Sequence, residues 1–248
     1  MHRLYFYMIQ TTSAIVLHII KYNETQRIVH LYAESVGYVA CVVKLSRSKR
    51  SSLRPQLFQP LTILEISLER RSAKNLFVVC DARLLYPYVS AQTNVVKSSI
   101  LLFLAEFLDK VLRNEGVNHA LFAFLFTSLE WFDLCERGAS NFHLVFMMRL
   151  SLFLGIYPNT EEYQEGAFFD LRVSCFVLSQ PLHANYLVPE EAARLGLLMR
   201  MRFETMHLFP FDRLQRNRCL ELLVEYYRLH ITEFSSLKSI DVLKELFD

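Results

Sequence analysis

Glycine and proline are scarce, at 6 and 7 among 248 residues, which excludes collagen-like and linker-like sequence. The glycines stand singly, so the chain has no Gly-rich loop of the kind that cradles nucleotide phosphates. Intrinsic disorder is excluded by the opposite measure, since 52% of residues are hydrophobic and 21% charged. A mean hydropathy of +0.21 raises the question of a membrane, yet long uncharged runs are missing. The most apolar stretches, Ile100–Leu108 and Leu144–Leu154, fall short of the roughly 18 residues a spanning helix needs, and Arg149 interrupts the second. The first twenty residues carry no small-residue cleavage site. A soluble, cytoplasmic protein is expected.

Local catalytic signatures are missing too. The five cysteines (Cys41, Cys80, Cys135, Cys175, Cys219) lie at least 39 residues apart, so no Cys-x-x-Cys half-site for zinc exists. Their spacing fits reduced thiols in a cytosolic protein. The eight histidines are never closer than 12 residues, which rules out His-Glu-x-x-His. His143 and His230 fall inside apolar helical runs, where a packed imidazole is the ordinary outcome. Glu161, Glu162, Glu165 and Asp170 fit a solvated loop better than the metal site of a nuclease. No enzyme, no metal and no cofactor is expected.

What is present divides the chain in two. Ser13–Ile20, Gln26–Ala33, Gly37–Lys44, Leu61–Glu69 and Leu76–Leu84 are short, rich in β-branched and aliphatic residues, and separated by polar segments. Leu64, Ile66 and Leu68 alternate with Glu65, Ser67 and Glu69, the period of a half-buried strand. Five such strands in so short a stretch suit a small barrel, because closure removes exposed edges. After Tyr86-Pro87-Tyr88 the spacing turns helical. Helices are predicted over Val95–Arg113, Ala120–Cys135, Asn141–Gly155, from Pro189 onward, over Asp212–Thr232 and over Leu237–Phe247. Asn159–Pro189 reads as irregular. The expected fold is α+β in two domains, residues 1–85 as a five-stranded barrel and 86–248 as an all-α helical domain.

Charge follows the same division. Residues 1–85 hold 12 Lys and Arg against 5 Asp and Glu, whereas the remainder holds 15 against 20. A basic barrel joined to an acidic helical part points to a polyanion at the barrel. The densest run is Lys44–Arg54, in which Lys44, Arg47, Lys49, Arg50 and Arg54 stand among four serines with no acid. A solvated loop explains such a run by itself. However, it leaves the third strand, Lys21 and Arg27 border the connection between the first two strands, and Arg70, Arg71 and Lys74 lie at that between the fourth and fifth. In small five-stranded barrels these are the elements that face oligonucleotides. Cations there neutralise phosphates and release counterions without reading sequence. Tyr22, Tyr32 and Tyr38 offer faces either for base stacking or for packing.

Several segments resemble the bacterial RecO family of DNA repair proteins, which are recombination mediators. The similarity begins at the hairpin Ala14–Tyr32. It continues through Gly37, the basic run, and Leu57–Ile66 with its Gln59-Pro60 element. It extends over Ser98–Leu112 around Phe103–Glu106, Asn118–Leu129, and Asn141–Pro158 with its Leu-Gly-Ile-Tyr-Pro ending. The resemblance implies an amino-terminal OB-fold on a helical domain, binding of single- and double-stranded DNA, and annealing of complementary strands. It further implies action with RecR and single-stranded DNA-binding protein to load RecA recombinase, with residence at the nucleoid. Many relatives carry a four-cysteine zinc element after the Leu-Gly-x-x-Pro helix. The equivalent stretch here, Asn159–Val177, keeps Cys175 alone, so no zinc site is expected.

The leading reading is a non-enzymatic DNA-binding and annealing mediator. In it, the helical domain receives a peptide with a hydrophobic end and acidic flank, with Arg149, Arg200 and Arg202 as candidate contacts. The alternative is a helical protein-interaction adaptor whose barrel binds protein and whose basic loop only solubilises it.

Overall fold

The computed structural model describes residues 9–46, 51–71, 76–161 and 163–245. Five strands come first: β1 (Ile9–Lys21), β2 (Gln26–Ala33), β3 (Gly37–Lys44), β4 (Ile63–Arg71) and β5 (Leu76–Tyr86). They close into a barrel in the order β1-β2-β3-β5-β4, with β3 and β5 parallel and the other pairs antiparallel. This is the OB-fold arrangement. β1 serves two neighbours, pairing with β4 through Ile9–Ile15 and with β2 through Ala14–Lys21. An irregularity between Val16 and His18 bends it between the two partners. The predicted alternation sends Val29, Leu31, Val39, Cys41, Val43, Leu64, Ile66 and Leu68 into one core. Phe58, from a short 3-10 turn at Pro55–Phe58, joins the same core.

Two helices follow, α1 (Val95–Val111) and α2 (His119–Leu134). Asn94 caps α1 by accepting the Lys97 N–H at 3.1 Å. Ile100, Phe103, Leu104, Phe107, Leu108 and Val111 form its buried face, at the three-and-four spacing read in the sequence. The first compact unit runs from Met1 to Asp133 and so takes in both helices along with the barrel.

The connection between α1 and α2 lies against the start of β3. The Tyr38 N–H donates to the Glu115 carbonyl at 3.0 Å, and the Tyr32 hydroxyl donates to that of Gly116 at 3.1 Å. Gly37 has φ +78°, and a Cβ there would sit 2.5 Å from the Gly116 carbonyl carbon. Two backbones meet where a side chain has no room. Gly37→Ala should therefore cost about 2–4 kcal/mol in urea denaturation, from the left-handed φ and the clash together. Gly116→Ala is the control, since its Cβ meets nothing within 4 Å. Equal stability of the two variants would overturn the close-approach argument.

The second compact unit is Leu134–Asp248. Its centre is α3 (Phe142–Phe153), buried around nearly all its circumference, with α4 (Pro189–Arg200) and α5 (Arg213–His230) against it. Pro189 opens α4, with Glu190 and Glu191 in its first turn. Asp212 and Gln215 form a reciprocal capping box on α5, and α6 (Ser239–Glu245) ends the described chain. The segment expected to be irregular carries three short strands: β6 (Phe168–Asp170), β7 (Cys175–Val177) and β8 (Tyr186–Leu187), in the order β7-β6-β8. Two- and three-residue strands show no period, which is why the sequence pattern passed over them. Among the described residues no helix is long and apolar enough to cross a membrane.

Candidate nucleic-acid interface

Strand register groups part of the basic set. Lys21 stands opposite Arg27, and Gln26 opposite Lys44, so the ends of β1, β2 and β3 carry three cations within two rungs. Their commitments differ. Lys21 forms an exposed ion pair with Glu24 at 2.7 Å, weak in solution and readily exchanged. The Arg27 guanidinium donates to the carbonyls of Asn23 (2.7 Å) and Gln26 (3.0 Å), which makes it a clasp on the β1–β2 turn. Lys44 is exposed at the end of β3. Arg54 is exposed as well, and it is brought back toward Lys44 because the Ser46 N–H donates to the Leu53 carbonyl at 2.9 Å. Arg70 lies farther round the barrel, opposite Phe77 on β5, with its guanidinium 5.9 Å from that ring. The backbone of Arg71 pairs with Leu76. Arg47, Lys49, Arg50 and Lys74 lie outside the described residues.

The outer face of β2 and β3 is divided. On one half, Tyr32 is fully buried against Phe122, and burial pushes its hydroxyl up to about 12. A buried ring has no face left for a base, so Tyr32 is a packing residue and not a stacking one. Tyr38 is held by donation to Asp109 Oδ1 at 2.8 Å, and burial first, then that carboxylate, raises its pKa. His30 Nδ1 lies 2.7 Å from the same oxygen. Burial alone would raise the Asp109 pKa; the hydrogen bonds from His30 and Tyr38, with the charges of His30 and His18, outweigh it and hold the group below the usual range. This cluster fastens α1 over one half of the face. The other half is open: Tyr22 is 63% exposed at the β1–β2 turn, and Ile20 is 42% exposed.

Sequence reasoning missed this cluster and the neighbouring Arg113, which reaches Asp109 Oδ2 at 3.5 Å. Nothing local marks these residues, because β2, β3 and α1 meet only through the tertiary fold. His18 and His30, 12 residues apart in sequence, become cross-strand partners with ring centroids 5.8 Å apart.

In the second unit, Tyr157, Thr160, Tyr163, Phe176, Met199 and Arg200 line a cavity of about 440 Å3. Arg200 and Arg202 are exposed, and Arg149 is half-buried. The stretch Asn159–Val177 was the place to look for a metal's ligands. It offers Cys175 as its one thiol, and among the described residues no three His, Cys, Asp or Glu side chains gather as a site would require. Aromatic packing orders it: Phe176 meets both Tyr163 and Phe169 edge-on at 4.9 Å. The Tyr226 hydroxyl on α5 also bonds to Ser174 at 2.7 Å.

Comparison with known families and proteins matches both units. The family model described as recombination protein O N terminal covers residues 8–88, and that described as recombination protein O C terminal covers residues 92–239. The DNA repair protein RecO of Phocaeicola vulgatus is 51% identical over 97% of this chain and 100% of its own length. That of Bacteroides fragilis is 48% identical over 97% and 100%. That of Flavobacterium psychrophilum is 33% identical over 95% and 98%.

Proposed function

This chain belongs to the recombination protein O family of DNA repair proteins, and on that premise we propose that it is a DNA-binding recombination mediator. A role in DNA repair and recombination comes with the family. The finer reading is ours: the barrel binds single- and double-stranded DNA, brings complementary strands together, and acts with RecR to load RecA recombinase. The observation that carries it is the collection of Lys21 and Lys44 at the ends of β1 and β3, with exposed Arg54 brought back toward Lys44, beside the open half of an OB-fold face. Cations so placed meet phosphates of any sequence and release their counterions. Annealing needs the same property, because two strands must be held against their mutual repulsion. No bond is made or broken, so the protein works without catalysis, in the cytoplasm at the nucleoid.

The test is charge reversal in the basic run. The triple variant Arg47→Glu, Lys49→Glu, Arg50→Glu should weaken binding to all DNA sequences alike. The slope of log affinity against log salt for single strands should fall by about 2, at roughly 0.7 per lost phosphate contact. Strand annealing should fall with binding. Wild-type affinity and slope in this variant would reduce the run to a solvated connection.

The second unit is our site for the tail of single-stranded DNA-binding protein, a peptide with a hydrophobic end and acidic flank. The aromatic-lined cavity suits the end, and Arg200 at its wall suits the flank. Arg200→Glu should weaken a fluorescent tail peptide at least about five-fold, the scale of one charge-assisted contact. Undiminished binding would place the peptide elsewhere.

A further inference from the structure

The DNA-binding reading makes no use of the barrel's imidazoles, and two of them stand together. Register sets His18 on β1 opposite His30 on β2, with ring centroids 5.8 Å apart and planes tilted by 59°. The pair lies at the irregularity between Val16 and His18, where β1 passes from one neighbour to the next. The two rings differ in what already holds them. His18 is exposed, and among the described residues its ring has no hydrogen-bond partner. His30 is mostly buried and commits one nitrogen, Nδ1, which lies 2.7 Å from Asp109 Oδ1 and 2.9 Å from the Tyr38 hydroxyl.

A carboxylate oxygen only accepts, so Nδ1 carries the proton and the lone pair of the neutral ring sits on Nε2. That nitrogen makes no hydrogen bond among the described residues, and it is not sealed from solvent. A histidine whose other nitrogen donates to a carboxylate is oriented and made more basic as a metal ligand. Two imidazoles on one tetrahedral ion, each bonded at about 2.0–2.1 Å, hold their ring centres roughly 5.3 Å apart. The observed separation exceeds this by about half an ångström, which a small rotation of exposed His18 supplies. Asp109 places a negative charge behind the pair and interacts with both histidines. Arg113 meets Asp109 at 3.5 Å and is 49% exposed, so solvent screens most of its opposition to a cation. The second unit offers a contrast. His183 Nε2 also faces a carboxylate, that of Asp170 at 3.0 Å, but its Nδ1 is buried without a partner and closed to an ion from solvent.

We propose that His18 and His30 bind a zinc(II) ion through His30 Nε2 and the ring of His18, with Asp109 as the carboxylate behind His30. A resident zinc takes at least three protein ligands, and no such group exists among the described residues. Two ligands therefore make an exchangeable site, its remaining positions held by water. The bound ion ties β1 to β2 at the bend of β1. Magnesium prefers oxygen ligands and keeps its own waters, so it does not compete. The inference is independent of the DNA-binding reading, and its test contains no DNA.

The experiment is isothermal titration calorimetry of zinc chloride into the reduced full chain, with and without excess magnesium. Wild-type protein should bind zinc in both conditions. His18→Gln should weaken that site at least about ten-fold, and Asp109→Asn by about ten-fold, the scale of losing a carboxylate behind a ligand. His119→Gln and Cys80→Ser should leave it unchanged, since they remove an exposed imidazole and an exposed thiol elsewhere in the unit. His18 has no hydrogen bond to lose, so His18→Gln should melt with wild type in the absence of metal. It should also lose the rise in melting temperature that zinc gives wild type. If Asp109→Asn fails to fold, His18→Gln decides alone. Absence of zinc binding by wild type, or wild-type affinity in His18→Gln, overturns the proposal. Loss of binding in Cys80→Ser or His119→Gln instead assigns the ion to that side chain and overturns it equally.

Discussion

Asp133→Ala should lower the unfolding free energy of the first unit by about 4 kcal/mol, a large share of the 5–15 kcal/mol typical of a domain. The carboxylate is 2% exposed and accepts three consecutive backbone N–H groups: Val89 and Ser90 at 2.8 Å, and Ala91 at 2.7 Å. The Tyr86 hydroxyl donates to it at 3.1 Å. These residues form the turn from β5 into α1, where the chain has left one ladder and not yet entered another. Burial alone would raise the pKa of Asp133; the bonds from Val89, Ser90, Ala91 and Tyr86 outweigh it and hold the pKa below the ordinary carboxylate value. Alanine removes every acceptor at once, and each stranded buried donor costs about 1–3 kcal/mol. Asp133→Asn keeps one oxygen and should fall between. Chemical denaturation followed by tryptophan-independent far-UV circular dichroism checks the order. A loss under about 1 kcal/mol for the alanine variant would mean the turn finds other acceptors, such as water.

The second expectation is an acid-sensitive core in the second unit. His143 on α3 is fully buried, and burial, with the nearby Arg216 charge, pushes its pKa down to about 3. Arg216 is fixed there by donation to Asn141 Oδ1 at 3.0 Å and to the Phe211 carbonyl at 2.7 Å. An unfolded histidine takes up its proton near pH 6.5, whereas this one stays neutral in the fold until pH nears 3. The stabilisation is therefore complete above about pH 6.5 and is lost progressively as pH falls toward 3. At pH 5 the loss should be about 2 kcal/mol, one and a half pH units at roughly 1.4 kcal/mol each. His143→Leu, similar in volume and without a titrating group, should flatten the stability profile over this range. Parallel profiles for the two proteins would assign the acid sensitivity to other groups.

The strands and helices were legible because their signals are local and repeated. Leu64, Ile66 and Leu68 set a period of two, and Ile100 to Val111 a period near three and a half. Both survive intact in β4 and α1. Phe169 and Phe176 belong to strands of three residues, too short to hold a period, and their order depends on each other and on α5. The candidate interface was legible in its charges and not in its shape. Lys44 and Arg54 follow from composition, whereas the burial of Tyr32 depends on Gly116 and Phe122, more than 80 residues away in the chain. A tyrosine on a strand reads the same in sequence whether a helix covers it or a base does. Asp133 gave no signal at all, because three of its four donors are backbone amides, which every residue but proline has.

The fastening of α1 over the barrel bears on where this chain can be cut. The two family models part between residues 88 and 92, a boundary drawn by shared ancestry. The physical boundary falls later, after Asp133. A fragment stopped at the earlier point would lack Phe122 and Gly116 and so bare Tyr32, and should be recovered as aggregate. One carried through Asp133 takes its own cover with it, and is the shorter piece suited to nuclear magnetic resonance of the isolated first unit.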